Sequence, residues 1–344
     1  VASLAGGLAA RGVQVTVCGP AAAGARHRLT EVGARFAPVE ITRGATPRSD
    51  ATVAAALRAA CGGADVVHAH GLRAGSLAAA ALAGRRTPLV VTRHSAILAS
   101  GAGAYLLRLL ERRVARAASV VLGASSDLVE HARELGARDA RLSPVGVPAR
   151  SAAARRPEKT RAELGAVAGP LVLAAGELEP HKGYGTLLDA SRSWLAMTPP
   201  PVLAIVGEGP QRAVLQGRID AGHLPVRLLG ARDDLPELLA AADLVVLPSR
   251  WEGRAPIAQQ ALAAGVPLVA TDVGGIPELV GEAARLVPYA DPAALAAAVA
   301  ELLAAPEQRA ALAAAGFAQA ATWPTEDDTV AQVLSIYDEL TKSR

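Results

Sequence analysis

The sequence predicts an α/β protein made of two Rossmann-like domains facing across a cleft. Two successive series of short apolar runs, each suited to a buried parallel strand, alternate with amphipathic or Ala-rich helical stretches. Between them lies a segment rich in Arg, Ala, Pro and Glu, residues 149–169, with no strand pattern and one short helix near residues 159–164. A length of 344 residues is enough for two separate cores.

Residues 1–11 read as a helix closed by Gly12, and residues 13–18 as a strand. A doubly wound domain ordinarily opens on a strand and a Gly-rich turn, so the expectation is a domain lacking its first strand and phosphate-facing loop. After a helix over residues 50–61 comes an apolar strand ending in His68, Ala69, His70 and Gly71. Period two puts both histidines on one face, but no third ligand follows at a useful spacing, so no metal site is expected. A helix then reaches Gly84, and a strand over residues 88–92 runs into Arg93, His94 and Ser95.

The helix expected at 103–117 interleaves Leu106, Leu107, Leu109, Leu110 and Val114 with Arg108, Arg112, Arg113 and Arg116. The favoured reading packs its leucines on the domain's own sheet; the other lays it on an anionic membrane. A strand at 119–122, a helix at 125–135 capped by Ser125 or Ser126, and a strand at 140–143 complete a first domain of residues 1–148.

The second domain, residues 170–325, continues with strands at 171–175, 202–206 and 226–229 and helices at 184–197, 210–221 and 234–241. Its most informative stretch is 243–278. Residues 244–247 form a short apolar run stopped by Pro248 and Ser249. Pro256 suits the first turn of a helix and Gly265 its end, and residues 267–270 make a further strand before Gly274 and Gly275. Residues 291–321 read as a helical pair and 326–344 as a terminal helix.

Composition narrows the function. Residues 1–150 carry 19 Arg, no Lys and 9 acidic side chains; residues 151–344 carry 16 basic and 23 acidic ones, which together make the net +3. The basic half is a candidate for meeting an anionic acceptor or membrane surface. Aromatic residues are only 3%, too few stacking platforms for single-stranded nucleic acid. Cys18 and Cys61 have no metal spacing and read as buried thiols of a reducing cytoplasm. With neither an apolar run of membrane-spanning length nor a signal peptide, the expected location is cytoplasmic, with peripheral contact at the inner membrane face. There is no Asp-x-Asp element, Walker loop or Gly-x-Ser-x-Gly elbow.

In open parallel sheets the loops at the carboxyl edge bind ligands. One such loop carries Trp251, Glu252, Gly253 and Arg254, with Gln260 in the helix behind it. This pattern resembles the donor signature of the retaining glycosyltransferases of family 4, glycosyl transferases group 1, in which a Glu-Gly pair opens a Glu, seven residues, Glu spacing. Gly176, Glu177, Leu178, His181, Lys182 and Gly183 resemble the family's Gly-Arg-Leu and Lys-Gly element. Thr92-Arg93-His94-Ser95 resembles its strand-end histidine, Gly207 to Pro210 its turn after the second strand, and Gly230 to Arg232 part of the segment lining the base. Gly274 and Gly275 would bring backbone N–H groups to the sugar or phosphate, and Glu278 matches a further position. The likeness covers nearly the whole chain.

The resemblance implies the GT-B fold, with the terminal helix crossing back to the first domain. It also implies retaining transfer of a sugar from a nucleotide-diphosphate sugar to an acceptor such as a sugar, lipid-linked sugar or small molecule, including envelope or polysaccharide precursors. Lys182 would stabilise the departing diphosphate, Glu252 would hold sugar hydroxyls, Gln260 the ribose, and His94 the sugar near the reacting centre; no cofactor or metal is implied. Two positions depart from the pattern. Gln at 260 still accepts a hydroxyl, losing about 1 kcal/mol of charge assistance. Glu177 stands where Arg is expected, and at about 4 Å from a phosphate would be repelled by about 4 kcal/mol at an effective dielectric of 20. Glu177 should therefore turn away or pair, with Arg250, Arg254 and Arg232 as substitute cations. A nucleotide-sugar epimerase and a non-catalytic binding subunit are the alternative readings.

Overall fold

The computed structural model describes residues 1–41, 47–99, 101–146 and 157–342. Contacts divide the chain into Val1–Ala149 with Pro324–Arg344, and Arg150–Trp323. The first unit runs α1 (Ala2–Ala10), β1 (Thr16–Gly19), α2 (Ala21–Arg26), β2 (Arg35–Pro38), α3 (Pro47–Ala60), β3 (Val67–His70), α4 (Leu72–Ala81), β4 (Leu89–Arg93), α5 (Ala102–Ala117), β5 (Val120–Gly123), α6 (Ser126–Glu134) and β6 (Ala140–Leu142). The second runs α7 (Pro157–Leu164), β7 (Leu171–Ala175), α8 (Tyr184–Ser191), β8 (Val202–Val206), α9 (Arg212–Gly222), β9 (Val226–Gly230), α10 (Leu235–Ala241), β10 (Leu244–Leu247), α11 (Pro256–Ala264), β11 (Leu268–Thr271), α12 (Ile276–Val280), β12 (Arg285–Val287), α13 (Pro292–Ala304) and α14 (Pro306–Ala321). The last helix, α15 (Glu326–Lys342), returns to the first unit.

In the second unit six parallel strands lie in the order β12-β11-β10-β7-β8-β9. Strands buried on both faces need apolar residues at every position, which is what 171–175 and 244–247 supply. Period two then sends Leu171, Leu173, Val245 and Leu247 into one core, and Val172, Ala174, Leu244 and Val246 into another. The chain winds outward from β7 through β8 and β9, then restarts beside β7 with β10. The switch point therefore lies between the carboxyl ends of β7 and β10, where ligands bind in such sheets.

In the first unit β3-β4-β5-β6 form one parallel sheet and β1-β2 another. Val90, Val120 and Leu122 meet Val333 and Ile336 of α15. A reciprocal capping box starts that helix: Asp328 Oδ2 accepts from Thr325 N at 2.9 Å, and Thr325 Oγ1 accepts from Asp328 N at 3.1 Å. Gly7 lets α1 lie close to it, since a Cβ there would stand 2.5 Å from Val330 Cγ2.

Several elements differ from the sequence expectation. Residues 157–169 were read as linker, yet Leu164 and Ala166 enter the second unit's core and Arg161 pairs with Asp243 at 2.9 Å. The rest of that segment, residues 149–156, and Pro148 lie outside the described residues. The helix expected over 184–197 ends at Ser191 and gives way to a 3₁₀ turn, Ser193–Ala196. Ser125 is the N-cap of α6 by position, but its hydroxyl bonds Asp127 rather than a backbone N–H. On α5 only Leu107, Leu110 and Val114 of the expected apolar set turn inward, while Tyr105, Leu106 and Leu109 are 69%, 69% and 46% exposed.

Candidate functional site

The loops after β7 and β10 interlock. The first ends in the 3₁₀ turn Pro180–Lys182, closed by Gly183 in the left-handed region at φ 72°. A Cβ on Gly183 would sit 1.9 Å from the carbonyl oxygen of Pro248, so only glycine permits this approach. Arg250 N donates to His181 O at 2.7 Å across the same junction. The outcome is an ion pair at the switch point: Lys182 Nζ lies 2.7 Å from Glu252 Oε1.

Glu252 is held from several sides. Ser249, fully buried, donates its hydroxyl to the same Oε1 at 2.8 Å, and Thr271 Oγ1 donates to Ser249 O at 2.6 Å. Gly275 N donates to Glu252 O at 2.8 Å, and a Cβ on Gly274, at φ 54°, would come within 2.3 Å of that oxygen. Gly253 is buried in the same turn. Tyr184, at the start of α8, is pushed well above the usual phenol range by burial and then by the charge of Glu252. The resemblance did not single out Ser249 or Tyr184; a Ser closing an apolar strand and a Tyr opening a helix carry no distinctive signal.

A second set of contacts joins the neighbouring loops. Gly176 N donates to Val206 O at 2.9 Å, and a Cβ on Gly207 would stand 1.9 Å from Gly176 O. Gly207 N in turn donates to Gly230 O at 2.8 Å. Glu177 is exposed. Arg232 is engaged by Asp234, its Nε donating to Oδ1 at 2.7 Å, which leaves it a poor substitute cation. Arg250 is exposed.

Arg254 is half-buried, with its guanidinium 5.8 Å from the Trp323 ring centroid. Burial lowers its pKa, opposed by the charge of Glu278, and its Nε and Nη2 are buried without a hydrogen-bond partner. Gln260 is exposed on α11; the buried amide is its neighbour Gln259, whose Nε2 is 3.4 Å from Arg254 O.

In the first unit, His94 follows β4 and forms part of a histidine cluster. His70 Nδ1 lies 3.1 Å from His94 Nε2, and the two rings meet edge to edge in near-parallel planes with centroids 5.4 Å apart. His68 stacks on His70 at 4.5 Å and is held by Tyr337 OH at 2.7 Å and Thr92 Oγ1 at 2.6 Å. Burial, then the neighbouring histidine charge, lowers His68 to about 3 and His70 to about 2; His94 is lowered too, by the desolvation of its inner side, although the residue is exposed. All three rings are thus neutral near pH 7. Behind the strand end, Arg93 pairs with Glu111 of α5, both buried, and His131 Nε2 is 3.4 Å from the other Glu111 oxygen.

Two parallel-sheet units, one carrying an ammonium–carboxylate pair over its switch point, define an α/β protein of the GT-B kind. Residues 1–148 match the glycosyl transferase 4-like domain and residues 169–305 the glycosyl transferases group 1 domain, so the chain belongs to the group 1 glycosyl transferases. It is 32% identical over 290 residues to the glycogen synthase of Mycobacterium tuberculosis, covering 78% of this chain and 68% of that one. It is also 32% identical over 235 residues to TuaC of Bacillus subtilis, provisionally named a teichuronic acid biosynthesis glycosyltransferase; that match covers 65% of this chain but spans only 57% of the relative. Among solved structures, Anabaena Alr3699/HepE in complex with UDP superposes with a TM-score of 0.79 at 19% identity, over 95% of this chain and 100% of that one. Sucrose-phosphate synthase of Thermosynechococcus elongatus gives 0.81 at 23%, over 99% and 92%. Among the described residues no helix is long and apolar enough to cross a membrane.

Proposed function

We propose that the chain moves a sugar from a nucleotide-diphosphate sugar to an acceptor, with retention of configuration and without a metal ion. The observation that carries this reading is the Lys182–Glu252 pair at 2.7 Å between the loops after β7 and β10. As a glycosidic bond breaks, the departing diphosphate gains negative charge, and a fixed ammonium favours that state over the ground state. Lys182 takes that part. Both bonds to the Glu252 carboxylate fall on Oε1, leaving Oε2 for sugar hydroxyls. Arg254, with its Nε and Nη2 unpaired, is the substitute cation for the diphosphate, and Gln260 the ribose contact. Gly176, Gly207, Gly274 and Gly275 allow backbone close to the donor, and His94 touches the sugar as a neutral imidazole. No side chain is assigned as a nucleophile, which fits a front-face path. UDP and UDP-glucose are bound by the Anabaena neighbour, so uridine donors head the list to test.

The acceptor side is read from charge and exposure. Tyr105, Leu109, Arg112 and Arg116 recur along α5 at spacings of four, three and four, all exposed, with Leu106, Arg108 and Arg113 beside them. Exposed Tyr105, Leu106 and Leu109 in the first turns of α5, followed by exposed guanidinium groups, suit an anionic membrane surface, and an envelope or lipid-linked acceptor would be met there.

Calorimetric titration of the full chain with a panel of nucleotide-sugars, followed by hydrolysis and transfer assays with the best binder, tests the proposal. Binding, with turnover that depends on Lys182, supports it. A chain that binds none of them is a non-catalytic subunit, and release of a free epimer without acceptor marks an epimerase.

A further inference from the structure

The histidine cluster contains more than the one ring that the proposed reaction uses. A hydrogen bond between two imidazole nitrogens needs one proton, so His70 Nδ1 and His94 Nε2, 3.1 Å apart, must have opposite roles. His94 Nε2 is committed by this bond, and Nδ1 is the ring nitrogen left for a ligand. Whichever nitrogen holds the shared proton, the tautomer of one ring dictates that of the other. The near-parallel planes, 9° apart, orient the ring of His94, and the shared proton couples its tautomer to that of His70.

His70 is itself anchored. It faces Thr92 in the β3–β4 register and stacks on His68 with ring centroids 4.5 Å apart. Both nitrogens of His68 are taken, by the hydroxyls of Tyr337 and Thr92. The order Tyr337, His68, His70, His94 therefore leads from α15 through β3 to the end of β4. Burial keeps His68 and His70 from taking up a second proton near neutrality, so the shared bond persists at working pH.

We propose that His70 is a positioning residue for the transfer reaction, coupling the tautomer of His94 to its own and holding the ring in one plane so that Nδ1 meets the donor sugar. This rests on the reading of His94 as a sugar contact. A hydrogen bond to a ring that must be aligned in the transition state affects turnover more than ground-state binding.

The test uses the full chain with His70→Ala and His70→Asn, the second offering an amide where Nδ1 stood. Turnover and donor KM are measured alongside the imidazole nitrogen resonances of His94. The expected result is a kcat about tenfold lower in His70→Ala with KM nearly unchanged, His94 averaging between tautomers, and recovery of both in His70→Asn while the two variants melt alike. The proposal is overturned if His94 keeps a single tautomer in His70→Ala, if the loss falls on KM alone, or if Asn restores nothing. Should the wild-type chain show no turnover, the transfer reading fails and this role with it, whereas turnover with an unchanged His94 spectrum in His70→Ala removes the positioning role alone.

Discussion

Gly183 brings its α-carbon so close to Pro248 that any side chain would overlap the proline carbonyl, with a Cβ 1.9 Å from the oxygen. The contact joins the ends of two adjacent strands and sets the separation of Lys182 from Glu252. Gly183→Ala meets both the overlap and a positive φ of 72°, so the loops must part. The expected outcome is a loss of more than about 1 kcal/mol of stability in urea unfolding, with donor affinity falling at least as much as in Lys182→Ala. A variant that binds donor normally would show that the junction does not govern the site.

Lys182→Ala leaves the buried Glu252 carboxylate with the Ser249 hydroxyl but without its counter-charge, so some stability is lost along with activity. Turnover should fall by about a hundredfold or more, the usual consequence of removing a group that stabilises transition-state charge. Steady-state kinetics on the full chain separates this from a binding defect: a change in KM alone would assign Lys182 to ground-state binding.

Arg93 and Glu111 form a buried pair one residue before His94. Glu111→Ala strands a guanidinium without its counter-charge, which costs about 3–5 kcal/mol in typical buried pairs. Glu111→Gln keeps a hydrogen-bond acceptor and should cost less. Chemical denaturation of the two variants checks the order.

The histidine stack predicts an acid-sensitive first unit. His68 and His70 are lowered to about 3 and about 2, below the value near 6.5 of an unfolded chain, so the unfolded state binds more protons as pH falls from about 6 towards 3. Stability is therefore full above the unfolded value and declines below it, by up to about 1.4 kcal/mol per pH unit for each ring, less where water reaches the ring. Urea midpoints at pH 7, 5.5 and 4.5 should fall more steeply in wild type than in His68→Gln.

Exposed Leu106 and Leu109 with Arg112 and Arg113 predict sedimentation with vesicles containing anionic lipid and little with neutral ones. Reversing Arg112 and Arg113 to Glu should weaken binding by roughly thirtyfold or more, at about 1 kcal/mol per lost cation near the surface, and added salt should weaken wild type in the same direction. Equal binding to neutral vesicles would remove the electrostatic basis of the docking.

Strands buried on both faces were legible because their pattern is unbroken: residues 171–175, 202–206 and 244–247 appear with the bounds read from the sequence. Strand β2, Arg35–Pro38, was missed because its ends are exposed and its sequence, RFAP, alternates weakly; β12 has only three residues. Lys182 and Glu252 were found through resemblance to a family pattern. Their 2.7 Å contact joins residues 70 apart, which no local spacing reveals. Ser249, Tyr184 and His70 matter only through tertiary approach, so their types alone said little. Gln260 was placed on the correct helix, but exposure distinguishes it from the buried Gln259 only once the helix is oriented.

The helix Glu326–Lys342 supplies Val333 and Ile336, with Tyr337 and Leu340 packed beside them, to a core whose remaining members lie before residue 147. During synthesis at about 5–20 residues per second, the early sheet would emerge on the order of ten to forty seconds before the segment that covers it. Until then its apolar face is open to chaperones or to neighbouring nascent chains. A chain stopped within residues 326–342 would thus leave uncovered a sheet made far earlier.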